Sequence, residues 1–139
     1  MRRLLLTASL LLAPAAALAP APPRRAPIEV SVMGFSAKVD DGRVVATWKR
    51  YKRDDFSFYL LVKSAADRTP VYPSAPLIFS TDAPGQTRFE DGLLSTGTWH
   101  YRLCILTRFG DLWISPVASV SIDQAAVRRA APTAADFED

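Results

Sequence analysis

Apolar side chains recur at every second position through the middle of this chain, between Ile28 and Ile122. A period of two is typical of a half-buried β-strand, whose successive side chains point to opposite faces, whereas an amphipathic helix repeats every 3.6 residues. The alternating runs are short, and most of the glycines fall between them. The pattern therefore predicts an all-β fold over residues 28–122, a seven-stranded antiparallel β-sandwich.

Seven runs of residues carry this prediction. They are Ile28–Val32, Arg43–Trp48, Phe56–Lys63, Leu77–Phe79, Thr87–Glu90, Thr98–Thr107 and Leu112–Ile122. The third run is apolar on both faces, which is typical of a central or doubly covered strand. Asp41 and Gly42 suit a tight turn before the second run. Pro116 cannot donate to a strand ladder, so it indicates an edge position or a bulge in the last run.

Residues 1–19 have the organisation of a secretory signal peptide. Two arginines precede the apolar run Leu4–Leu12, and Ala17 and Ala19 offer the small side chains of a cleavage site. The alternative, a retained membrane helix, is disfavoured because Pro14 interrupts the apolar run, which falls short of the ~20 residues that a span requires. We therefore expect export to the periplasm or the cell exterior, with no stable membrane span after processing.

Two further segments flank the predicted sandwich. Residues 20–27 form a proline-rich spacer, expected to be extended and mobile because proline joins neither a helix nor a strand ladder. Residues 123–139 are rich in alanine and are expected to form a flexible C-terminal tail. Within that tail, Gln124–Ala131 has the composition of a short helix, which would be marginal in water on its own.

Composition argues against several functions. The 17 Lys and Arg exceed the 14 Asp and Glu by three, and the excess falls to one without Arg2 and Arg3, so charge does not favour a nucleic-acid partner. A single cysteine excludes an internal disulfide framework and a cysteine-based zinc site. His100, the one histidine, lies four residues from Cys104, about 13 Å along a strand, too far for a cysteine–histidine nucleophile. We expect no enzymatic activity, metal or other cofactor.

Two patterns in the predicted sandwich resemble a fibronectin type III domain. The alternation of Val44, Ala46 and Trp48 is similar to that family's second strand, with its buried tryptophan. The run Phe58–Val62 is similar to the aromatic-then-aliphatic pattern of the family's third strand. An immunoglobulin domain is a poorer match, because it would carry the tryptophan on the third strand and a disulfide between the second and sixth.

A third pattern strengthens the resemblance. Leu93 and Gly97 precede an alternating strand, similar to the entry to the family's sixth strand, and Trp99 stands at the position of the family's corner tyrosine. The side chains assigned to the structural core are Trp48, Trp99, Tyr101, Leu103 and Ile105.

The resemblance covers essentially all of residues 28–122, the length of a single module. Together with the signal-peptide pattern and the abundance of Ala, Pro and Arg, it indicates a small secreted bacterial protein. Its implied role is non-catalytic binding or structural work through protein–protein or cell-surface contacts, and the protein or cell-envelope partner stays unidentified. The alternative is association with polysaccharide, because similar modules accompany polysaccharide-degrading enzymes. Exposed aromatic side chains at Tyr72, Phe109 and Trp113 would serve that role. The oligomeric state is left open.

The outer face of the sheet that contains the sixth strand is the candidate binding surface. Its candidate residues are Arg102, Cys104, Leu106, Arg108, Phe109 and Trp113. This face either presents an apolar patch to a partner or is covered by the spacer or by the long loop Asp67–Pro76. For Cys104 the alternatives are an intermolecular disulfide and an inert buried thiol, of which the second is preferred.

The strongest run of positive charge is Lys49–Arg53. One interpretation is contact with an anionic surface, such as a phosphate-bearing envelope polymer or lipid head groups. The preferred interpretation is a solvated loop between the second and third strands, because Asp54 and Asp55 follow at once and offset half of the charge.

Overall fold

The computed structural model describes residues 20–40, 42–92 and 95–138 of the chain. The predicted signal peptide, Asp41 of the predicted turn and Leu93 of the third pattern lie outside the described residues. The strands are β1 (Ile28–Glu29), β2 (Ser36–Asp40), β3 (Arg43–Thr47), β4 (Phe56–Ser64), β5 (Leu77–Thr81), β6 (Arg88–Asp91), β7 (Gly97–Thr107), β8 (Leu112–Ile114) and β9 (Ala118–Ile122). A helix α1 (Gln124–Ala130) and a 3-10 turn at Ala134–Asp136 follow.

Two sheets form the β-sandwich that the alternation predicted. One sheet has the order β2-β3-β6, and the other has the order β1-β8-β7-β4-β5, with β9 also paired to β7. Neighbouring strands are antiparallel except β1, which runs parallel to β8. The two longest strands, β4 and β7, pair at the centre of the larger sheet, with Leu61 opposite Leu103. The all-β class is therefore confirmed.

The main core lies between the two sheets and follows from the alternation of β4 and β7. Its buried members are Met33, Ala46, Trp48, Tyr59, Leu61, Leu103 and Ile105. The Trp48 and Tyr59 rings meet edge to face with centroids 5.5 Å apart, a favourable arrangement of two aromatic quadrupoles. The Tyr59 hydroxyl donates to the Pro84 carbonyl at 2.8 Å, so this buried ring keeps its polar atom satisfied.

A second core lies on the opposite face of the larger sheet. Its buried members are Leu60, Val62, Ala75, Cys104, Leu106, Leu112 and Ile114. Val71 and Tyr72, from the loop between β4 and β5, pack against these side chains. Strand β4 is thus covered on both faces, as its doubly apolar sequence predicted.

The first predicted strand is wrong in its extent. Only Ile28–Glu29 of the expected Ile28–Val32 pairs as a strand, and Ser36–Asp40, which had not been predicted, forms the hairpin partner of β3. The side chains of β2 are exposed or half-buried, so few apolar residues mark its alternation. A strand of this kind leaves little periodic signal, because neither of its faces is fully buried and few of its positions need to be apolar.

The last predicted strand and the segment that follows it also differ from expectation. Pro116 separates β8 from β9, so the expected single run is two strands that both pair with β7. Beyond β9, Gln124–Ala130 is helical rather than part of a flexible tail. The Asp123 side chain accepts from the Ala126 backbone N–H at 2.7 Å and caps this helix. Ala126 is buried against the core, which supplies the stability that the isolated segment lacks.

Candidate functional site

Three of the six candidate surface residues are buried, which corrects the predicted binding surface. Arg102, Cys104 and Leu106 are 5%, 0% and 2% exposed. The loop between β4 and β5 covers them, so the alternative of a covered outer face describes this region. Arg108 and Phe109 lie in the exposed turn after β7, where the guanidinium sits 5.0 Å from the phenyl centroid.

Arg102 holds the covering loop between β4 and β5 in place. Its guanidinium donates to the Pro70 carbonyl and to Glu29 Oε1, each at 3.2 Å. The first contact anchors the covering loop, and the second anchors β1. A buried cation is tolerated only when it is paired and hydrogen-bonded, so Arg102 serves the covered face rather than an external partner.

Cys104 lies in the same covered layer as a free thiol with no exposed surface. Burial raises the pKa of the Cys104 thiol to about 11, because the thiolate would lose its hydration. The thiolate is the reactive form in disulfide chemistry. The structure therefore favours the inert interpretation of Cys104 over an intermolecular disulfide.

Trp99 is half-buried, whereas the core residues Trp48, Tyr101, Leu103 and Ile105 are buried. Its indole Nε1 donates to the Ser95 carbonyl, four residues earlier, at 3.0 Å. A corner tyrosine makes a hydroxyl bond back to the upstream backbone in the related sandwiches. In Trp99, the indole N–H is the donor of the corresponding hydrogen bond to the upstream backbone.

The proline-rich spacer, expected to be mobile, is hydrogen-bonded along the edge of the larger sheet. The Arg24 N–H donates to the Gly110 carbonyl at 2.8 Å, and the Tyr72 hydroxyl donates to the Pro20 carbonyl at 3.2 Å. The Arg25 guanidinium also pairs with Asp111. Further along, the Val30 N–H donates to the Ile114 carbonyl at 2.8 Å, so the segment after the spacer reaches the neighbourhood of Trp113.

Beside this segment lies a cavity of about 420 Å³, which we call the basic cleft. Its lining residues are Val30, Val32, Met33, Lys49, Arg50, Tyr51, Lys52, Arg53, Ile105 and Trp113. Ile105 and Trp113 are paired across β7 and β8, so two neighbouring strands supply apolar lining. The opposite wall is the charged run Lys49–Arg53. The cleft thus joins Trp113 to a run that the sequence had favoured as a solvated loop.

Close packing holds the charged run against the segment between β1 and β2. The Lys49 N–H donates to the Met33 carbonyl at 2.9 Å. Gly34 has φ +62°, and a Cβ there would lie 2.9 Å from Lys49 Cγ. Because a larger residue would collide with the lysine stem in a backbone conformation that favours glycine, Gly34 permits the close approach of Lys49 to the segment between β1 and β2.

The positive charge of the cleft is not neutralised within the described parts of the chain. Lys49, Arg50, Lys52 and Arg53 contribute the charge, and none of them pairs with a carboxylate of residues 20–40, 42–92 or 95–138. The neighbouring Asp55 instead accepts from the Tyr51 hydroxyl at 2.7 Å. Burial, and then this carboxylate, raise the pKa of Tyr51, against a smaller opposing effect from Arg53.

The Trp113 indole N–H is buried and is not exposed to the cleft, with no hydrogen-bond partner of ordinary geometry among the described residues. It lies near the Tyr51 hydroxyl, since a contact with Trp113 acts to lower the pKa of Tyr51. The cleft itself therefore offers a ligand cations and an apolar surface together.

Two arrangements relevant to catalysis, a histidine-based triad and a metal cluster, can be checked within the described ranges. His100 Nδ1 lies 2.7 Å from Ser119 Oγ, on the β7–β9 pair, without a carboxylate to orient it. Residues 20–40, 42–92 and 95–138 contain no group of three His, Cys, Asp or Glu side chains suited to a metal. In the same residues, α1 and the 3-10 turn are too short to cross a bilayer.

Comparisons with known proteins identify solved structures only, since no family model and no curated protein matches the chain. Pectate lyase Pel3 from Pectobacterium carotovorum matches at 14% identity with a TM-score of 0.51, over 71% of this chain and 28% of that one. Pectate lyase PelI from Erwinia chrysanthemi, in complex with tetragalacturonic acid, matches at 10% identity and 0.51, over 65% and 28%. An Fn3-like protein from Clostridium thermocellum matches at 18% and 0.45, over 64% and 92%.

This chain spans about a quarter of the pectate lyases that it resembles, and identities this low show the fold alone. The fold assignment rests on the sandwich itself, in which a three-stranded sheet faces a larger one and Trp48 lies buried between them. On this architecture, the chain has a fibronectin type III-like β-sandwich fold.

Proposed function

We propose that the chain is an exported, non-catalytic binding module that contacts a negatively charged protein or cell-envelope component through the basic cleft. The proposal rests on one observation: four cationic side chains and Trp113 line the same largely apolar cavity. Ligand sites are typically concave and mostly apolar, with a few polar groups that orient the ligand. The cleft has this composition and lies within the usual volume range of about 300–1,000 Å³.

Charge supports an acidic partner. The cations lie within one short loop, whereas the carboxylates of Asp54 and Asp55 lie outside the lining of the cleft. A cluster of one sign of charge beside a low-dielectric wall attracts ligands of opposite charge. The signal-peptide pattern of residues 1–19 supports a partner outside the cytoplasm.

A defined anionic probe tests the proposal on a chain of residues 20–139. We expect this chain to bind vesicles that contain phosphatidylglycerol, or a polyglutamate peptide in solution, more tightly than neutral counterparts. The double variant Arg50→Ala/Arg53→Ala should weaken this binding about tenfold, since a free-energy change of about 1.4 kcal/mol corresponds to that factor. Isothermal titration at two salt concentrations would measure the dissociation constants.

The matched control removes the same charge from the exposed side of α1. Arg128 and Arg129 are exposed and lie away from the cleft lining. The variant Arg128→Ala/Arg129→Ala should bind each probe within about twofold of the original chain, because such surface cations contribute only general attraction. Equal losses in the two double variants would reject the cleft as the contact surface.

A second candidate function is association with an acidic polysaccharide. The observation in its favour is that the aromatic rings of Tyr51 and Trp113 lie beside the cations in the same cleft. The likeness to a pectate lyase in complex with tetragalacturonic acid makes polygalacturonate a suitable probe. Retention on polygalacturonate that Trp113→Ala abolishes, with none on neutral dextran, would support this function; unchanged retention in that variant would reject it.

A further inference from the structure

We propose that the basic cleft accepts the acidic segment around Phe137 from a second copy of this chain, so that copies associate head to tail. This inference rests on the proposed function, because it uses the same cleft as the contact surface. The partner is a second copy of the chain, and the two complementary groups, the acidic segment and the basic cleft, are both present in this sequence.

The donor segment combines one exposed aromatic ring with several carboxylates. Phe137 is 68% exposed, and Asp136, Glu138 and Asp139 surround it in the sequence. An exposed large apolar side chain gains free energy when a partner removes it from water. The acidic neighbours would direct this ring to a cationic rather than a neutral apolar surface.

Local hydrogen bonds order the donor segment before any contact. The Asp136 carboxylate accepts from the Thr133 backbone N–H at 2.7 Å, and the Phe137 N–H donates to the Ala134 carbonyl at 3.3 Å. A segment that already has a defined shape loses less conformational entropy when it binds. The phenyl ring is therefore presented to solvent from an ordered turn.

The acceptor has the complementary chemistry. Its apolar lining includes Ile105 and Trp113, which would contact a phenyl ring, and its cations stand on the rim without carboxylate partners among the described residues. Val32, which also lines the cleft, is 78% exposed and would be covered by the same contact.

Helix α1, which leads to the donor segment, and the cleft lie toward opposite ends of the sandwich. Helix α1 packs near Ile122, which pairs with Gly97 at the start of β7, whereas Ile105 in the cleft lies near the end of that strand. Eight residues of strand separate Gly97 from Ile105, or about 27 Å. The segment that carries Phe137 thus leaves the sandwich at the end away from the cleft, which suits a heterologous contact that adds copies in a row.

Two complementary variants test the polarity of this contact. Phe137→Ala removes the donor and keeps the cleft, whereas Arg50→Glu/Arg53→Glu removes the acceptor and keeps the donor. In sedimentation velocity, we expect the original chain to associate reversibly with concentration and each variant alone to remain monomeric. An equimolar mixture of the two variants should form heterodimers and nothing larger, because only one functional contact is left between them.

Controls separate this contact from general stickiness and from misfolding. Val39 is another exposed apolar residue, and Val39→Ala should associate as the original chain does. Raising NaCl from about 50 mM to about 500 mM should weaken the association, since salt screens the ion pairs at the rim. Heterodimers in the mixture would show that both variants are folded.

Three results would overturn the inference: an original chain that stays monomeric at millimolar concentration, a Phe137→Ala variant that associates normally, or a mixture that stays monomeric while the original chain associates. The proposed function is tested separately, because Phe137→Ala leaves the cleft intact. If this variant binds the anionic probes while the original chain is monomeric, self-association is rejected and the proposed function stands. If copies associate as expected but Phe137→Ala, whose cleft is unoccupied, binds no anionic probe, the cleft recognises only its own chain and the broader proposed function fails.

Discussion

At the residue scale, the Asp91 carboxylate satisfies two polar groups at the margin of the core. The Asp91 carboxylate of β6 accepts from the Tyr101 hydroxyl and from Lys63 Nζ, each at 2.7 Å. Lys63 also lies 4.7 Å from the centroid of the Trp99 ring. Because Asp91 belongs to one sheet while Lys63 and Tyr101 belong to the other, these bonds join the two layers.

Removal of the Tyr101 hydroxyl should therefore weaken the sandwich. We expect Tyr101→Phe to lower the free energy of unfolding by about 2 kcal/mol, since a hydrogen bond to a charged acceptor contributes about 1.5–3 kcal/mol. Urea denaturation would measure the change. The control Tyr72→Phe loses only a 3.2 Å bond to the Pro20 carbonyl and should cost about 1 kcal/mol or less. Equal losses would contradict a role for Asp91 in joining the sheets.

Burial also predicts the reactivity of Cys104. We expect the native thiol to resist alkylation at pH 8 and to react fully after unfolding, because it is inaccessible and its pKa is about 11. Thiol labelling followed by mass spectrometry would measure both rates. As a control, Ser121→Cys introduces a thiol at an exposed position of β9, which should label rapidly. Comparable native rates at the two positions would show that Cys104 is accessible.

At the scale of elements, the contact between the β2–β3 turn and α1 depends on one glycine. Gly42 has φ +82°, and a Cβ at this position would lie 2.3 Å from the Ala130 Cβ. Asp123 caps the other end of the helix, and Ala126 is buried between these points. The helix is therefore held by tertiary contacts along its length, whereas its seven residues would be marginal alone.

Substitution of this glycine should disturb the helix. We expect Gly42→Ala to lower the free energy of unfolding by more than about 1 kcal/mol, because it combines an unfavourable backbone conformation with a steric clash. The control Gly92→Ala has nothing within 4 Å of the added Cβ and should change stability by less than about 0.5 kcal/mol. Urea denaturation would compare the two, and equal effects would argue against a docked α1.

At the scale of the whole molecule, the buried titratable groups predict a loss of stability at alkaline pH. Burial raises the pKa of the Cys104 thiol from 9.0 to about 11, and burial followed by the Asp91 contact raises the pKa of Tyr101. Both groups hold their protons more tightly in the folded chain. Their contribution to stability is therefore fully present below pH 9 and is lost as the pH rises through the folded pKa.

For the thiol, the loss should reach about 2 kcal/mol by pH 11, since each pKa unit corresponds to about 1.4 kcal/mol and the native thiol is half ionised there. Urea denaturation between pH 7 and pH 11 would measure it. Cys104→Ala should show a shallower decline across the same range, although its stability at pH 7 falls because a buried side chain is truncated. An identical pH slope in the two chains would show that the thiol does not titrate as expected.

The local pattern was enough to predict the fold class and most of the strands. Alternation along Phe56–Lys63 and Thr98–Thr107 is a property of neighbouring residues, so β4 and β7 could be predicted without knowledge of the rest of the chain. β2 was missed because an exposed edge strand needs few apolar residues. The sequence could not decide between a helix and a flexible tail for α1, because the stability of this helix depends on Gly42 and on a core formed by distant strands.

The candidate site was predicted only in pieces. The Lys49–Arg53 run and Trp113 were each noted in the sequence, but 60 or more positions separate them, and their meeting depends on how β8 pairs with β7. Likewise, the pattern showed two apolar faces on the larger sheet, but not which would be covered.

By itself, then, the sequence determined strand-forming segments, their two faces and an all-β sandwich, because these follow from side-chain alternation over a few residues. The tertiary structure decided that the loop before β5 buries Cys104 and Leu106, that Arg102 anchors this loop, and that cations gather over Trp113. These outcomes depend on contacts between residues far apart in the chain, and the free energy of such contacts is set by the packed arrangement rather than by local order.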